Sequence, residues 1–326
     1  MGKSIKKDCR AVDVSFVKDF VDGDLKEILD FVKDRNNKMI LLFRGNSGNI
    51  VTIYKRNHVF WEVTKMKNIK RAGYKFKIRF NFNHARFSEC WKNWLDTLLL
   101  RGWEIEKKNN AKSVGYIVYK FDSITLDVLK EAYEIFNNAI NDFFDKSKKY
   151  DWFKNSNKKN KGKLLEKERQ QELFEKFDKP ESGDGYVIYD LEFAEPGNKK
   201  GNQPDFFAVK YQNCKTMKLV VGEVKSKSSA FTGGSGLIEH IEKMKDYISR
   251  SAINNRKEEA KEILKRYSML GLKGFDIKDI DKIDDFKVDD TVEILVVVTD
   301  EGIDEYNKNW KTKVESQFPE IEVMCI

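Results

Sequence analysis

Cysteine is scarce and unpatterned in this chain. Its 326 residues hold four, Cys9, Cys90, Cys214 and Cys325, far apart and with no C-x-x-C pair. That usage argues against a disulfide framework and against a zinc knuckle, and it fits a reducing cytosol. Histidine is scarcer still, with three residues; His58 and His84 lack the cysteine partners a zinc site would need. Long apolar runs are missing as well, since none approaches the ~20 residues of a membrane helix. The opening MGKSIKKDCR has no hydrophobic stretch behind its lysines, so no secretory signal is expected. Nor is there an internal repeat. The expectation is a cytoplasmic protein with no membrane partner.

What is present is charge, unevenly placed. Lysine and arginine number 61 against 53 acidic residues, a net of +8. Residues 1–160 carry 33 basic and 20 acidic side chains, leaving 28 and 33 for residues 161–326. A basic half joined to an acidic half suggests a polyanion-binding module beside a part that needs carboxylates. A lysine- and asparagine-rich composition alone would also give a basic surface.

Apolar spacing predicts helices over 13–35, broken near Gly23, then short strands at MILLFRG, NIVTIY and HVFWEVTK. The run YKFKIRFNF at 74–82 alternates strictly, with Tyr74, Phe76, Ile78, Phe80 and Phe82 on one face and Lys75, Lys77, Arg79 and Asn81 on the other. That pattern is a strand with an apolar inner side and a cationic outer side. An amphipathic helix over 86–101, a strand at GYIVYKF and a helix over 124–145 complete a basic α+β domain at 1–150. Lys75, Lys77 and Arg79 are the expected backbone-contacting cations, with Arg86 beside them in NFNHARF. Asn83 there reads equally as a helix cap. Trp61, Trp91, Trp94 and Trp103 lie in apolar-periodic segments and read as core.

Residues 151–163 form the expected linker, because KNSNKKNKGK at 154–163 holds five lysines, three asparagines and no apolar side chain. Beyond it, 164–326 reads as a second domain. A helix over 163–178 is followed by strands at 185–193, 204–211 and 217–225, then helices over 237–250 and 254–268. The apolar strand VEILVVV, a helix over 301–316 and a last short strand close it. That order is an α/β pattern around a central mixed sheet.

Three residues there carry chemistry. Glu223 and Lys225 are two apart at the end of LVVGEVK, so they project from one face about 7 Å apart. Asp205 follows Pro204 at the start of the preceding strand, and YQNCKTM between the strands is turn-like. A hairpin would therefore bring the Asp205 and Glu223 carboxylates together at one sheet edge beside an ammonium. Paired carboxylates repel unless a cation joins them, and such oxygen ligands suit Mg2+ or Mn2+. The cation would neutralise a scissile phosphate and acidify water, and Lys225 would orient that water or stabilise the developing charge. Acid-x-Lys triplets also begin at Asp24, Glu106, Glu259, Asp276 and Asp285. Only the one at Glu223 closes a strongly apolar strand, where unpartnered charge is costly. It also follows the single Pro-Asp of the chain, 18 residues upstream.

Asp205 and Glu223-x-Lys225, with a Glu-bearing helix before and a loop and helix after, resemble the PD-(D/E)XK nuclease superfamily over roughly residues 163–326. The resemblance implies a restriction-endonuclease-like core, a mixed β-sheet flanked by helices, and Mg2+-dependent phosphodiester hydrolysis. It implies DNA in preference to RNA and endonuclease in preference to exonuclease. A restriction or phage-defence setting and a homodimer cutting both strands fit it. It also implies a further acidic metal ligand from the preceding helix, Glu168 or, one turn on, Glu172. The loop SKSSAFTGGSG lacks P-loop spacing and reads as a loop beside the site, with Lys227 and Ser226 touching phosphate. The resemblance allows polar residues of the following helix near the site, so His240 in LIEHIEKMKDY could approach it, but a surface histidine is the preferred reading. The competing reading is a non-catalytic nucleic-acid-binding or assembly protein with a relic nuclease fold.

Overall fold

The computed structural model describes residues 10–44, 49–55, 58–81, 91–107, 114–149, 169–178, 185–191, 204–213, 216–226, 231–232, 236–250, 252–275, 280–299 and 302–326. The chain divides into two compact units, one spanning Arg10–Gly162 and one that contains Lys163–Ile326. Both are mixed α/β, each with one sheet and flanking helices. Among the described residues no helix is long and apolar enough to cross a membrane.

The first unit is built on six strands, β1 (Met39–Phe43), β2 (Asn49–Lys55), β3 (His58–Lys65), β4 (Phe76–Asn81), β5 (Glu104–Lys107) and β6 (Val114–Phe121). They lie in the order β1-β2-β3-β4-β6-β5, every neighbouring pair antiparallel. Helices α1 (Val14–Val21), α2 (Lys26–Lys33), α3 (Trp91–Leu100) and α4 (Leu126–Lys149) accompany it. The break between α1 and α2 falls where the sequence places it. A Cβ on Gly23 would lie 2.8 Å from the Asp19 Cα, so only glycine closes that corner.

Alternation in β4 is realised as strict in-out burial. Its inner aromatic residues meet α4, where Phe136 stacks on Phe80 with ring centroids 4.0 Å apart and also touches Phe60 and Trp103. Of the tryptophans read as core, Trp61 and Trp103 are buried, Trp94 is half-buried, and the Trp91 side chain lies outside what the structure describes. Replacing a fully buried aromatic removes its transfer energy and leaves a cavity. Phe136→Ala is therefore expected to cost about 3–5 kcal/mol, measured by urea unfolding of the whole chain. An unshifted midpoint would show that Phe136 does not close this core.

The second unit has a five-stranded sheet in the order β11-β10-β9-β8-β7. Its strands are β7 (Tyr186–Leu191), β8 (Phe206–Asn213), β9 (Thr216–Lys225), β10 (Lys287–Val298) and β11 (Glu322–Cys325). β7, β8 and β9 are joined antiparallel, whereas β9, β10 and β11 run parallel. A parallel step requires a crossover. Here it is supplied by α5 (Leu237–Ser249) and α6 (Ala252–Leu270) between β9 and β10, and by helical turns over 302–317 before β11. β9 is thus the strand at which pairing changes direction. Its C-terminal end, that of β10 and the start of β8 all reach the same edge of the sheet. In open α/β sheets the crevice at such a point is where ligands bind.

Among the strands, β10 and β5 differ from the sequence expectation. β10 begins at Lys287, ahead of its apolar run, because the polar KVDDT continues the pairing past an irregularity between Val288 and Val292. β5 has only four residues, EIEK, too few to show a period.

Candidate active site

Asp205 precedes β8 by one residue, and Phe206 pairs with Gly222, so Asp205 falls opposite Glu223. Its backbone N–H donates to the Gly222 carbonyl at 2.9 Å, and its Oδ2 accepts from the Val224 N–H at 2.8 Å. The side chain thereby takes a backbone donor of β9 just where β8 stops pairing with it. That bond fixes the carboxylate beside the Glu223 strand.

Between them Gly222 makes room. The Phe206 ring lies over it so closely that a Cβ would sit 1.9 Å from the ring Cζ. Glycine is needed here for close approach rather than for an unusual turn.

Glu223 and Lys225 project from the same side of β9 and are both buried, with 2% and 3% of their surface exposed. The Lys225 Nζ donates to Glu223 Oε1 at 2.8 Å, and His240 Nδ1 contacts the same oxygen. Burial works to raise the Glu223 carboxyl. The hydrogen bond from His240 and the charge of Lys225 outweigh it, so the group lies below its ordinary value. Parallel pairing holds the other side of β9, with Glu223 opposite Val296 and Lys225 opposite Val298. The Thr299 N–H then donates to the Lys225 carbonyl at 3.0 Å. Thr299 Oγ1 is buried there with no hydrogen-bond partner among the described residues.

His240 comes from α5, whose buried residues are Leu237, Ile241, Met244 and Tyr247. Tyr247 meets Phe207 of β8 with centroids 6.0 Å apart, which seats this helix against the sheet. His240 is not the surface residue that the sequence suggests; its side chain is only 25% exposed. The available signal was its spacing, three residues after Leu237, four before Met244 and seven before Tyr247, which puts it on the buried stripe.

The remaining candidates are distributed differently. Glu172, in the helical segment 169–176, is exposed and pairs with Arg169. Glu168, Arg86 and Lys227 lie outside the described residues, as do Asn83 and His84. Lys75, Lys77 and Arg79 are each matched by carboxylate. Lys75 lies 2.5 Å from Asp24 and 3.7 Å from Asp19, Lys77 lies 3.4 Å from Glu106, and Arg79 pairs with Glu62. Lys120 on β6 likewise meets Glu104 of β5 at 2.5 Å. Long-range partners thus offset the cationic stripe that a reading of β4 by itself suggests.

The carboxylate oxygens of Asp205 and Glu223 are hard ligands of the kind Mg2+ takes, one or two carboxylates at a time. Among the described residues no group of three or more His, Cys, Asp or Glu is placed to hold a metal ion. Comparison with family models, with curated proteins and with solved structures found no match. The resemblance drawn from the motif accordingly rests on Asp205, Glu223 and Lys225 themselves.

Proposed function

We propose that this protein is a divalent-metal-dependent phosphodiesterase acting on DNA, with a restriction-endonuclease-like core in its second unit. The carrying observation is that the Asp205 carboxylate is held on the Val224 N–H of β9, between the buried and ion-paired Glu223 and Lys225 in sequence. Two carboxylates and an ammonium, brought from two strands to the switch point of a mixed sheet, are the residue types that phosphoryl chemistry needs.

Asp205 and Glu223 would hold the cation, which when bound supplies neutralisation of the scissile phosphate and a lower pKa for water. The donor chemistry fits, and the buried Thr299 hydroxyl, without a hydrogen-bond partner among the described residues, lies at the same strand ends. Glu223 keeps its charge because Lys225 and His240 contact it. Lys225, held by Glu223, contributes positive charge where negative charge grows on phosphate. The basic composition of residues 1–160 supports a polyanionic substrate, although Lys75, Lys77 and Arg79 are ion-paired and add little to that support. A homodimer and a restriction or phage-defence setting come from the resemblance alone.

One observation favours a second reading, a nucleic-acid-binding or assembly protein without catalysis. Glu223 Oε1 is already shared by Lys225 and His240, a grouping that is stable without a metal. The full chain should be incubated with single- and double-stranded DNA and RNA, with Mg2+ or Mn2+ and with chelator. The enzyme reading expects cleavage, DNA foremost, that vanishes with chelator. Intact nucleic acid under every condition would leave the binding reading in its place.

A further inference from the structure

Glu223 has two oxygens, and the contacts at the site treat them differently. Lys225 Nζ and His240 Nδ1 both fall on Oε1, and Oε2 takes neither. The lysine comes from the same strand, two residues on, so that bond alone ties the carboxylate to its own backbone neighbour. The histidine comes from another element, in the first turn of α5, where its backbone N–H is held by the Gly236 carbonyl at 3.0 Å. A carboxylate gripped from two elements has one orientation. One gripped from its own strand can swing with its partner.

We propose that His240 is a positioning residue for the metal-holding carboxylate of Glu223: by occupying Oε1 together with Lys225 it reserves Oε2 for the divalent cation. The inference rests on the phosphodiesterase reading and extends it to a residue outside the Asp, Glu and Lys set. Groups that orient a metal ligand act through that ligand, and losing one typically costs 10–100-fold in metal affinity or activity. His240 touches neither substrate nor the reacting atoms in this scheme.

The test uses the full chain and Mn2+ alone, titrated calorimetrically without nucleic acid, on the wild type and on His240→Ala, His240→Asn and His240→Gln. The asparagine amide nitrogen occupies the position of Nδ1, whereas the glutamine amide reaches the position of Nε2. Both are polar, so a merely structural role for His240 would not rank them in this order. His240→Ala and His240→Gln are expected to bind Mn2+ about tenfold or more weakly, with His240→Asn within about threefold of wild type. Cleavage should follow the same order through kcat, with the KM for DNA little changed. Equal binding by wild type and His240→Ala, tighter binding by His240→Ala, or rescue by glutamine in place of asparagine would each overturn the proposal. If His240→Ala does not fold, the asparagine and glutamine pair still decides it. A wild-type chain that binds no Mn2+ would instead count against the phosphodiesterase reading itself.

Discussion

Glu223→Gln is expected to lower metal-dependent DNA cleavage by about a thousandfold, and Lys225→Met by about a hundredfold or more, in initial rates at saturating Mg2+. The glutamine keeps the length and polarity of the side chain and removes its charge, so a loss reports electrostatics rather than shape. Lys225 is buried, and the Glu223 carboxylate lies 2.8 Å away as a counter-charge. Removing one member of a buried pair leaves the other uncompensated, at a cost of about 3–5 kcal/mol. His240 also contacts Glu223, so the cost of Lys225→Met should fall toward the lower end of that range. Combining Glu223→Gln with Lys225→Met removes both charges and should be less destabilising than the two single changes added together. Cleavage by Glu223→Gln at the wild-type rate would remove this carboxylate from the mechanism.

The second large effect is expected at a residue with no side chain. Gly222→Val should destabilise the second unit by about 3 kcal/mol, because the added carbons occupy the space of the Phe206 ring. Phe206 is fully buried in the sheet and directly follows Asp205, so a backbone shift that relieves the clash reaches the aspartate. Activity should therefore fall more than the loss of folded protein accounts for. Gly222→Ala should show the same effect in milder form, and pairing it with Phe206→Leu should recover part of the stability. Thermal unfolding of these three variants checks the argument; a Gly222→Ala melt that matches wild type would refute the close approach.

Much of the fold was legible because its elements follow simple periods. β4 alternates, and the apolar runs of β9 and β10 are long enough to be central strands. α5 carries its stripe at helical spacing. The antiparallel pairing of β8 with β9 was readable from a turn-like segment between two strands. What escaped depended on distant partners. Nothing near Lys77 or Arg79 announces Glu106 or Glu62, which arrive from other strands. His240 likewise gains its contact from another element, Glu223 at the end of the preceding strand. Local charge is visible in a sequence, whereas its neutralisation is a property of the folded sheet. β5 was hidden for another reason, since a four-residue edge strand takes its identity from pairing with β6.

The parallel pairing of β9 with β10 has a consequence for how the protein is made. Lys225 lies opposite Val298, roughly seventy positions further along the chain, and contacts so distant form slowly. A nascent chain that has emerged only as far as α6 carries Asp205, Glu223, Lys225 and His240 but leaves one flank of β9 bare. Its LVV run is then an open, apolar edge, the kind of surface that chaperones cover and aggregates recruit. The Glu223 and Lys225 pair should thus settle only after β10 leaves the ribosome, and a chain halted before Lys287 should be insoluble.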